Sequence, residues 1–165
     1  MKKEKMNDKG FSLVELIIVI AIMAVLVVVL APQYLKYVER SRNSTDLQNA
    51  TEIVTALQVY GSDPEATVSI PTDPTEKFSI KIDKSGTVGL GKTSFQGAAL
   101  IDAGLADADG NLKMKCQSKT LWDNYTITAT PSNGGLVFTY SSAVGDTTNT
   151  NFQTKMEGNT TETSK

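Results

Sequence analysis

Histidine is absent from this chain of 165 residues, and cysteine occurs once. The chain therefore has no imidazole for general-base catalysis, for activating a serine or cysteine nucleophile, or for binding zinc. A disulfide within the chain is excluded because Cys116 has no partner. Neither sign of charge dominates, since 16 Lys and Arg against 18 Asp and Glu give a net charge of −2. The chain has no global attraction to nucleic acid, and its 40% hydrophobic content fits one globular domain, alone or with an appended element.

Apolar residues are concentrated near the N-terminus. The 16 residues 16–31 (LIIVIAIMAVLVVVLA) include no polar side chain, and from Phe11 only Ser12 and Glu15 interrupt a stretch of 21 residues. At 1.5 Å per residue, a helix of that length covers about 32 Å, which is the thickness of the hydrocarbon core of a bilayer. The length predicts a membrane-spanning segment.

The residues before this segment predict its orientation. Residues 1–10 carry four lysines and two acidic residues, net +2, so the N-terminus should stay in the cytoplasm and the chain after Pro32 should lie outside. A secretory signal peptide is the alternative, and it would need a small-x-small cleavage site after the apolar run. Ala31 is followed by Pro32, Gln33 and Tyr34, which do not form such a site.

The string KGFSLVELIIVIAIM, which begins at Lys9, resembles the signature of type IV prepilins, which carry a class III signal peptide. In that signature a short basic leader ends in Gly, cleavage precedes Phe, and Glu is the fifth residue of the mature chain. The resemblance covers residues 1–60 and implies that a prepilin peptidase cleaves between Gly10 and Phe11 and methylates the new amine of Phe11. Ser12 departs mildly from the pattern, where Thr is commoner.

Glu15 lies inside the apolar segment, where an ionisable side chain costs about 2.5–3.5 kcal/mol and usually has a functional partner. Cleavage would create one, because the amine of Phe11 lies one helical turn away and could pair with Glu15 of its own chain or of a neighbour. The resemblance implies that pairing with a neighbouring subunit sets the register between subunits. The alternative is a carboxylate tolerated because it lies near the lipid headgroups.

Pro32 removes the amide that would bond to the carbonyl of Val28, so a kink or local loss of helix is expected before it. Several β-branched valines precede it and weaken the helix. The resemblance implies that residues 24–32 unwind in a filament. A continuous, bent transmembrane helix is the alternative, and it is expected for the monomer in the bilayer.

The rest of the chain predicts an α+β fold, in which the long N-terminal helix packs on a small, mainly antiparallel sheet. Apolar residues at helical spacing from Leu47 to Tyr60 need a surface to cover, whereas residues 39–46 (ERSRNSTD) should be solvated. The period then changes to two at Phe78. The predicted parts are a leader (1–10), a transmembrane and amphipathic helix (11–60), a connecting loop (61–76), a β-sheet head (77–144) and a polar tail that is exposed or disordered (145–165).

Within the head, strands are predicted at residues 78–82, 87–90, 112–116, 125–130 and 136–142, with a short helix at 94–105. Ser132-Asn133-Gly134-Gly135 predicts a hairpin between the last two strands.

Two sequence motifs resemble binding sites, one for phosphate and one for calcium. Residues 86–93 (GTVGLGKT) match the phosphate-binding string G-x4-G-K-[ST], but the parallel sheet that such a loop needs is not predicted, and a glycine-rich turn explains the string. Asp107, Asp109 and Asn111 alternate like the first ligands of a calcium loop but lack the later glutamate, and a turn explains them as well.

These observations predict a non-enzymatic structural subunit of an extracellular type IV pilus, with no cofactor and with adhesion, motility or a related surface role. The resemblance implies as partners further copies of the chain, the prepilin peptidase, an assembly platform protein and its ATPase, and the membrane before assembly; nucleic acid is not expected. The alternatives are a pseudopilin of a type II secretion or competence DNA-uptake system and a membrane-anchored enzyme or binding module.

Overall fold

A computed structural model of the protein describes residues 12–86 and 89–158. The order of elements is helix α1 (Leu13–Ser62), strand β1 (Phe78–Ile82), helix α2 (Phe95–Asp102), strand β2 (Asn124–Ser132), strand β3 (Gly135–Val144), strand β4 (Thr147–Asn149) and helix α3 (Asn151–Met156). The four strands form one antiparallel sheet in the order β1-β2-β3-β4. The predicted α+β class is confirmed.

The chain divides into two units, Met1–Val38 and Glu39–Lys165. In the first unit the described residues after Ser12 are all helical, and their apolar side chains are exposed except for that of Val38, which is half-buried. Helix α1 continues through Pro32, which agrees with the continuous helix expected for the monomer. One missing amide is tolerated where the neighbouring turns keep their hydrogen bonds. Unwinding in a filament stays a prediction.

In the second unit, the helix and the sheet share one core. Ala50, Ile53 and Leu57 lie on one face of α1 at spacings of three and four residues, and each is fully buried. Their partners include Ile80 of β1 and Ile127 of β2, which are directly paired across the two strands. The prediction that this part of the helix covers a surface is confirmed.

The hairpin between β2 and β3 turns at Asn133 and Gly134, as predicted. Their φ angles of 49° and 80° are those of the left-handed region, which the Asn-Gly pair adopts at little cost. Ser132 and Gly135 close the turn as paired residues. Because β2 alternates buried and half-buried residues, this register places Tyr125 and Ile127 in the core.

The predicted strands at 87–90 and 112–116 are wrong for the residues described. Gly89 makes only an isolated bridge, to Asn111, and Thr87 and Val88 lie outside the described residues. Leu112 also makes a single bridge, and the amide of Cys116 donates to the carbonyl of Asp83 at 2.9 Å. The amides of Lys113 and Cys116 donate to carbonyls outside the sheet. Residues 112–116 therefore alternate in burial without forming a strand.

The predicted helix at 94–105 is present as α2 but is shorter. Ser94 is its N-cap, and the hydroxyl accepts a hydrogen bond from the amide of Gly97 at 3.1 Å.

Strand β4 is mostly exposed, whereas the prediction that the chain from Gly145 is exposed or disordered is wrong for α3. Phe152 is fully buried, and its ring stacks on Tyr125 with 4.3 Å between centroids. Trp122 meets the same ring edge-on at 5.2 Å. A single aromatic side chain therefore anchors this otherwise polar segment in the core of the head.

Candidate functional site

The first candidate site is the apolar surface of α1 in the first unit. Within the described residues, one helix is long and apolar enough to cross a membrane, with a mean hydropathy of 3.4 over its most apolar 18-residue window. None of that window is buried within the protein, which separates it from the core helix of a soluble domain. Leu16 and Val28, for example, are 59% and 74% exposed. A surface of this kind needs lipid or other protein to cover it.

Glu15 lies in the first turn of this helix. Its carboxylate accepts a hydrogen bond from the backbone amide of Ser12 at 2.9 Å. Ser12 and Glu15 therefore form one arm of an S-x-x-E capping box, in which the acidic side chain satisfies an otherwise unpaired amide. Gly10 and Phe11 lie outside the described residues, so pairing between Glu15 and the amine of Phe11 stays a prediction.

A second cluster was missed by the sequence analysis, which predicted residues 39–46 to be solvated. Asp46 of α1 is fully buried in the head. Its carboxylate accepts the amides of Gln117 at 2.8 Å and Ser118 at 2.9 Å, and the indole N–H of Trp122 at 2.8 Å. These three donors, with the thiol of Cys116 at 3.6 Å, replace the water that the charge loses on burial. Asn43 is also buried, so the prediction is wrong on this face.

Glu39 lies two turns before Asp46 and binds the residues that follow in the same loop. One of its carboxylate oxygens accepts the amides of Lys119 at 2.6 Å and Thr120 at 2.9 Å and the hydroxyl of Ser118 at 3.1 Å. Partial burial acts to raise the pKa of Glu39, but these hydrogen bonds outweigh it and hold the pKa below its ordinary value. The pair of carboxylates fixes residues 116–120 against α1.

Cys116 lies beside this cluster. Burial, together with the negative charge of Asp46, raises the pKa of its thiol to about 12. A thiol of that pKa stays protonated at neutral pH and is unreactive.

The two other motifs form turns. Asp107 uses one carboxylate oxygen to accept the amides of Asp109 and Asn111, at 2.9 Å each. Among residues 12–86 and 89–158, no group of three or more His, Cys, Asp or Glu could hold a metal ion. The phosphate-binding string ends at α2 in an antiparallel context, and its Lys92 pairs with Asp109 at 3.1 Å.

The family model described as "Prokaryotic N-terminal methylation motif" matches residues 5–31. The type IV major fimbrial protein FimA of Dichelobacter nodosus is 39% identical over 54 residues, which are 33% of this chain and 35% of that protein. Fimbrial protein EcpC of Eikenella corrodens is 31% identical over 131 residues, 69% of this chain and 85% of the relative. A fimbrial protein of Pseudomonas aeruginosa is 30% identical over 90 residues, 54% of this chain and 58% of the relative. No solved structure matches the chain.

The exposed apolar helix, the methylation motif and the antiparallel head define a fimbrial type of subunit. The match to EcpC extends over most of both chains, beyond the N-terminal motif, and this chain belongs to the type IV pilin family. The chain covers about a third of the length of the Dichelobacter relatives, which it matches over 54 residues.

Proposed function

We propose that the protein is a structural subunit of an extracellular type IV pilus. The observation that carries this proposal is an apolar helical surface long enough to span a bilayer and left uncovered within the protein. In the membrane, lipid covers this surface, and in a filament the same surface of other subunits covers it. The role is structural and needs no catalytic group.

The precursor is a membrane protein with its N-terminus in the cytoplasm and its head outside, because the excess of basic residues precedes the apolar segment. A prepilin peptidase cleaves the bond between Gly10 and Phe11 and methylates the new amine. A platform protein and its ATPase then move the subunit from the membrane into the filament.

Glu15 registers each incoming subunit by pairing with the amine of a neighbour's Phe11. In the monomer its carboxylate binds the amide of Ser12, so this oxygen atom is held at the first turn of the helix before assembly. A positioned carboxylate loses less conformational freedom on pairing than a free one.

Sheared surface filaments test the proposal. Electron microscopy should show long fibres, and mass spectrometry of their main band should identify this chain beginning at a methylated Phe11. Gly10→Val should accumulate uncleaved precursor in the membrane. Surface material that retains Met1, or fibres that lack this chain, would contradict the proposal.

A further inference from the structure

The second unit has one acidic loop and one group of exposed lysines, and the two are bound to different parts of α1. The loop 63–76, which follows α1, contains four acidic residues and no basic one. Three exposed lysines lie on loops that are bound to the beginning of this unit. We define the acidic loop as residues 63–76 and the basic patch as Lys84, Lys115 and Lys119.

Hydrogen bonds place the basic patch beside the first turns of α1 in the head. The amide of Lys119 donates to Glu39. The segment that carries Lys115 is tied to the loop that carries Lys84, because the amide of Cys116 donates to the carbonyl of Asp83 at 2.9 Å. Lys84 pairs with Asp123, whereas Lys115 and Lys119 form no ion pair within the part of the chain that the structure describes.

The acidic loop is hydrogen-bonded to the C-terminal end of α1. The hydroxyl of Tyr60 bonds to the hydroxyl of Thr67 at 2.9 Å and accepts the amide of Val68 at 3.3 Å. All four carboxylates of the loop are exposed, and none forms an ion pair with a described residue: Asp63, Glu65, Asp73 and Glu76.

The two charged regions are bound to different turns of α1. Glu39, which binds Lys119, and Tyr60, which binds the acidic loop, are 21 residues apart, which is about 32 Å along a helix. Surface charges separated by more than about 10 Å are largely screened at ordinary ionic strength. Each region is therefore available to a different molecule.

We propose that the basic patch is a docking surface for the acidic loop of a second copy of this chain. This rests on the proposed filament, in which all subunits run in the same direction. An open helical assembly uses two different surfaces of each subunit, and here those surfaces carry complementary charges.

The offset between subunits fits such a contact. Pairing of Glu15 with a neighbour's Phe11 displaces successive helices by four residues, about 6 Å. A separation of about 32 Å then corresponds to about five such steps. The acidic loop of one copy therefore meets the basic patch of a copy several positions along the filament.

Charge reversal on both surfaces tests the contact. Lys115→Glu/Lys119→Glu should lower the yield of long fibres about tenfold or more, because like charges then face each other. Asp73→Lys/Glu76→Lys should do the same. Combining all four changes should restore fibres, since each contact again joins opposite charges. Lys81→Glu/Lys155→Glu alters the net charge equally outside both surfaces and should leave the yield unchanged.

Zero-length carbodiimide cross-linking of wild-type filaments gives a second readout. Mass spectrometry should find Lys84, Lys115 or Lys119 joined to a carboxylate of the acidic loop in filaments and not in detergent-dispersed monomers. Normal fibres from both reversed pairs, or filaments with no such cross-link, would overturn the proposal. Normal fibres from Lys115→Glu/Lys119→Glu that lose retention on heparin would instead assign the basic patch to a polyanion. Absence of wild-type filaments would overturn the proposed function itself.

Discussion

Single charged residues of α1 hold the head together at positions where the local sequence is polar. Asp46 accepts four hydrogen bonds from residues that lie 70 to 76 positions away. A buried carboxylate of this kind stabilises the fold only while every donor keeps its acceptor.

Asp46→Ala should lower the free energy of unfolding by about 3 kcal/mol, because two amides and the indole of Trp122 lose a charged acceptor without gaining water. Thermal or denaturant unfolding of the full chain in detergent measures this. Glu52→Ala removes an exposed carboxylate from the same helix and should change the stability by less than about 0.5 kcal/mol. Equal effects of the two variants would show that Asp46 has no special role.

Glu39 predicts a dependence of stability on pH. Its pKa in the folded protein lies below its ordinary value of 4.5, so the stability that it contributes is present above that value and is lost as pH falls through the folded pKa. Glu39→Gln should therefore reduce the loss of Tm between about pH 5 and pH 3. A residual slope should remain, since the pKa values of Asp83, Asp107 and Asp123 are lowered too. Parallel Tm profiles for the variant and the wild type would contradict this.

At the scale of elements, the C-terminal segment depends on one side chain. Phe152 packs between Trp122 and Tyr125, and its amide donates to the hydroxyl of Ser142 at 3.2 Å. Helix α3 has six residues and is too short to be stable alone. The segment is ordered because the core holds it.

Phe152→Ala should cost about 3–5 kcal/mol of stability and release α3 from the sheet. Limited proteolysis of the full chain in detergent should then cut after β3, at sites that are protected in the wild type. Lys155→Ala changes the same helix without touching the core and should keep the protection. An unchanged digestion pattern for Phe152→Ala would show that other contacts hold the segment.

Helix α1 is continuous through Pro32 in the monomer, and we predict that residues 24–32 lose regular helix in the filament. The missing amide of Pro32 makes this the weakest part of the ladder. Pro32→Ala should keep the segment helical and give a less extensible fibre. A cryo-EM map with helical dihedrals throughout the segment in wild-type filaments would contradict the prediction.

The elements that the sequence predicted correctly depend on local signals. Alternation in β1 and β2, the Asn133-Gly134 turn and the helical spacing of Ala50, Ile53 and Leu57 each lie within a few neighbouring residues. Burial of Asp46 has no local signal, because its donors come from a loop more than 70 residues later. The same holds for Phe152, whose core partners belong to other elements.

At the scale of the whole molecule, the chain combines an apolar helix whose surface is exposed with a head that has its own hydrophobic core. The apolar part of α1 has no buried residue in its most hydrophobic window, whereas the head buries its aromatic side chains in one cluster. Residues 39–165 carry 11 basic and 15 acidic residues, net −4. In the proposed filament, contacts between the apolar helices supply the covering that the helix needs.

The yield of fibres from Glu15→Ala tests this account most directly. Removal of a costly carboxylate should ease insertion into the bilayer, and cleavage after Gly10 should persist because the scissile bond is unchanged. Assembly should fail, because each incoming subunit lacks the charge that pairs with a neighbour's Phe11 amine. Quantitative electron microscopy should therefore show few or no fibres despite normal levels of processed subunit, and coexpression with wild type should lower the fibre yield. Fibres of normal number and length from Glu15→Ala alone would contradict the account.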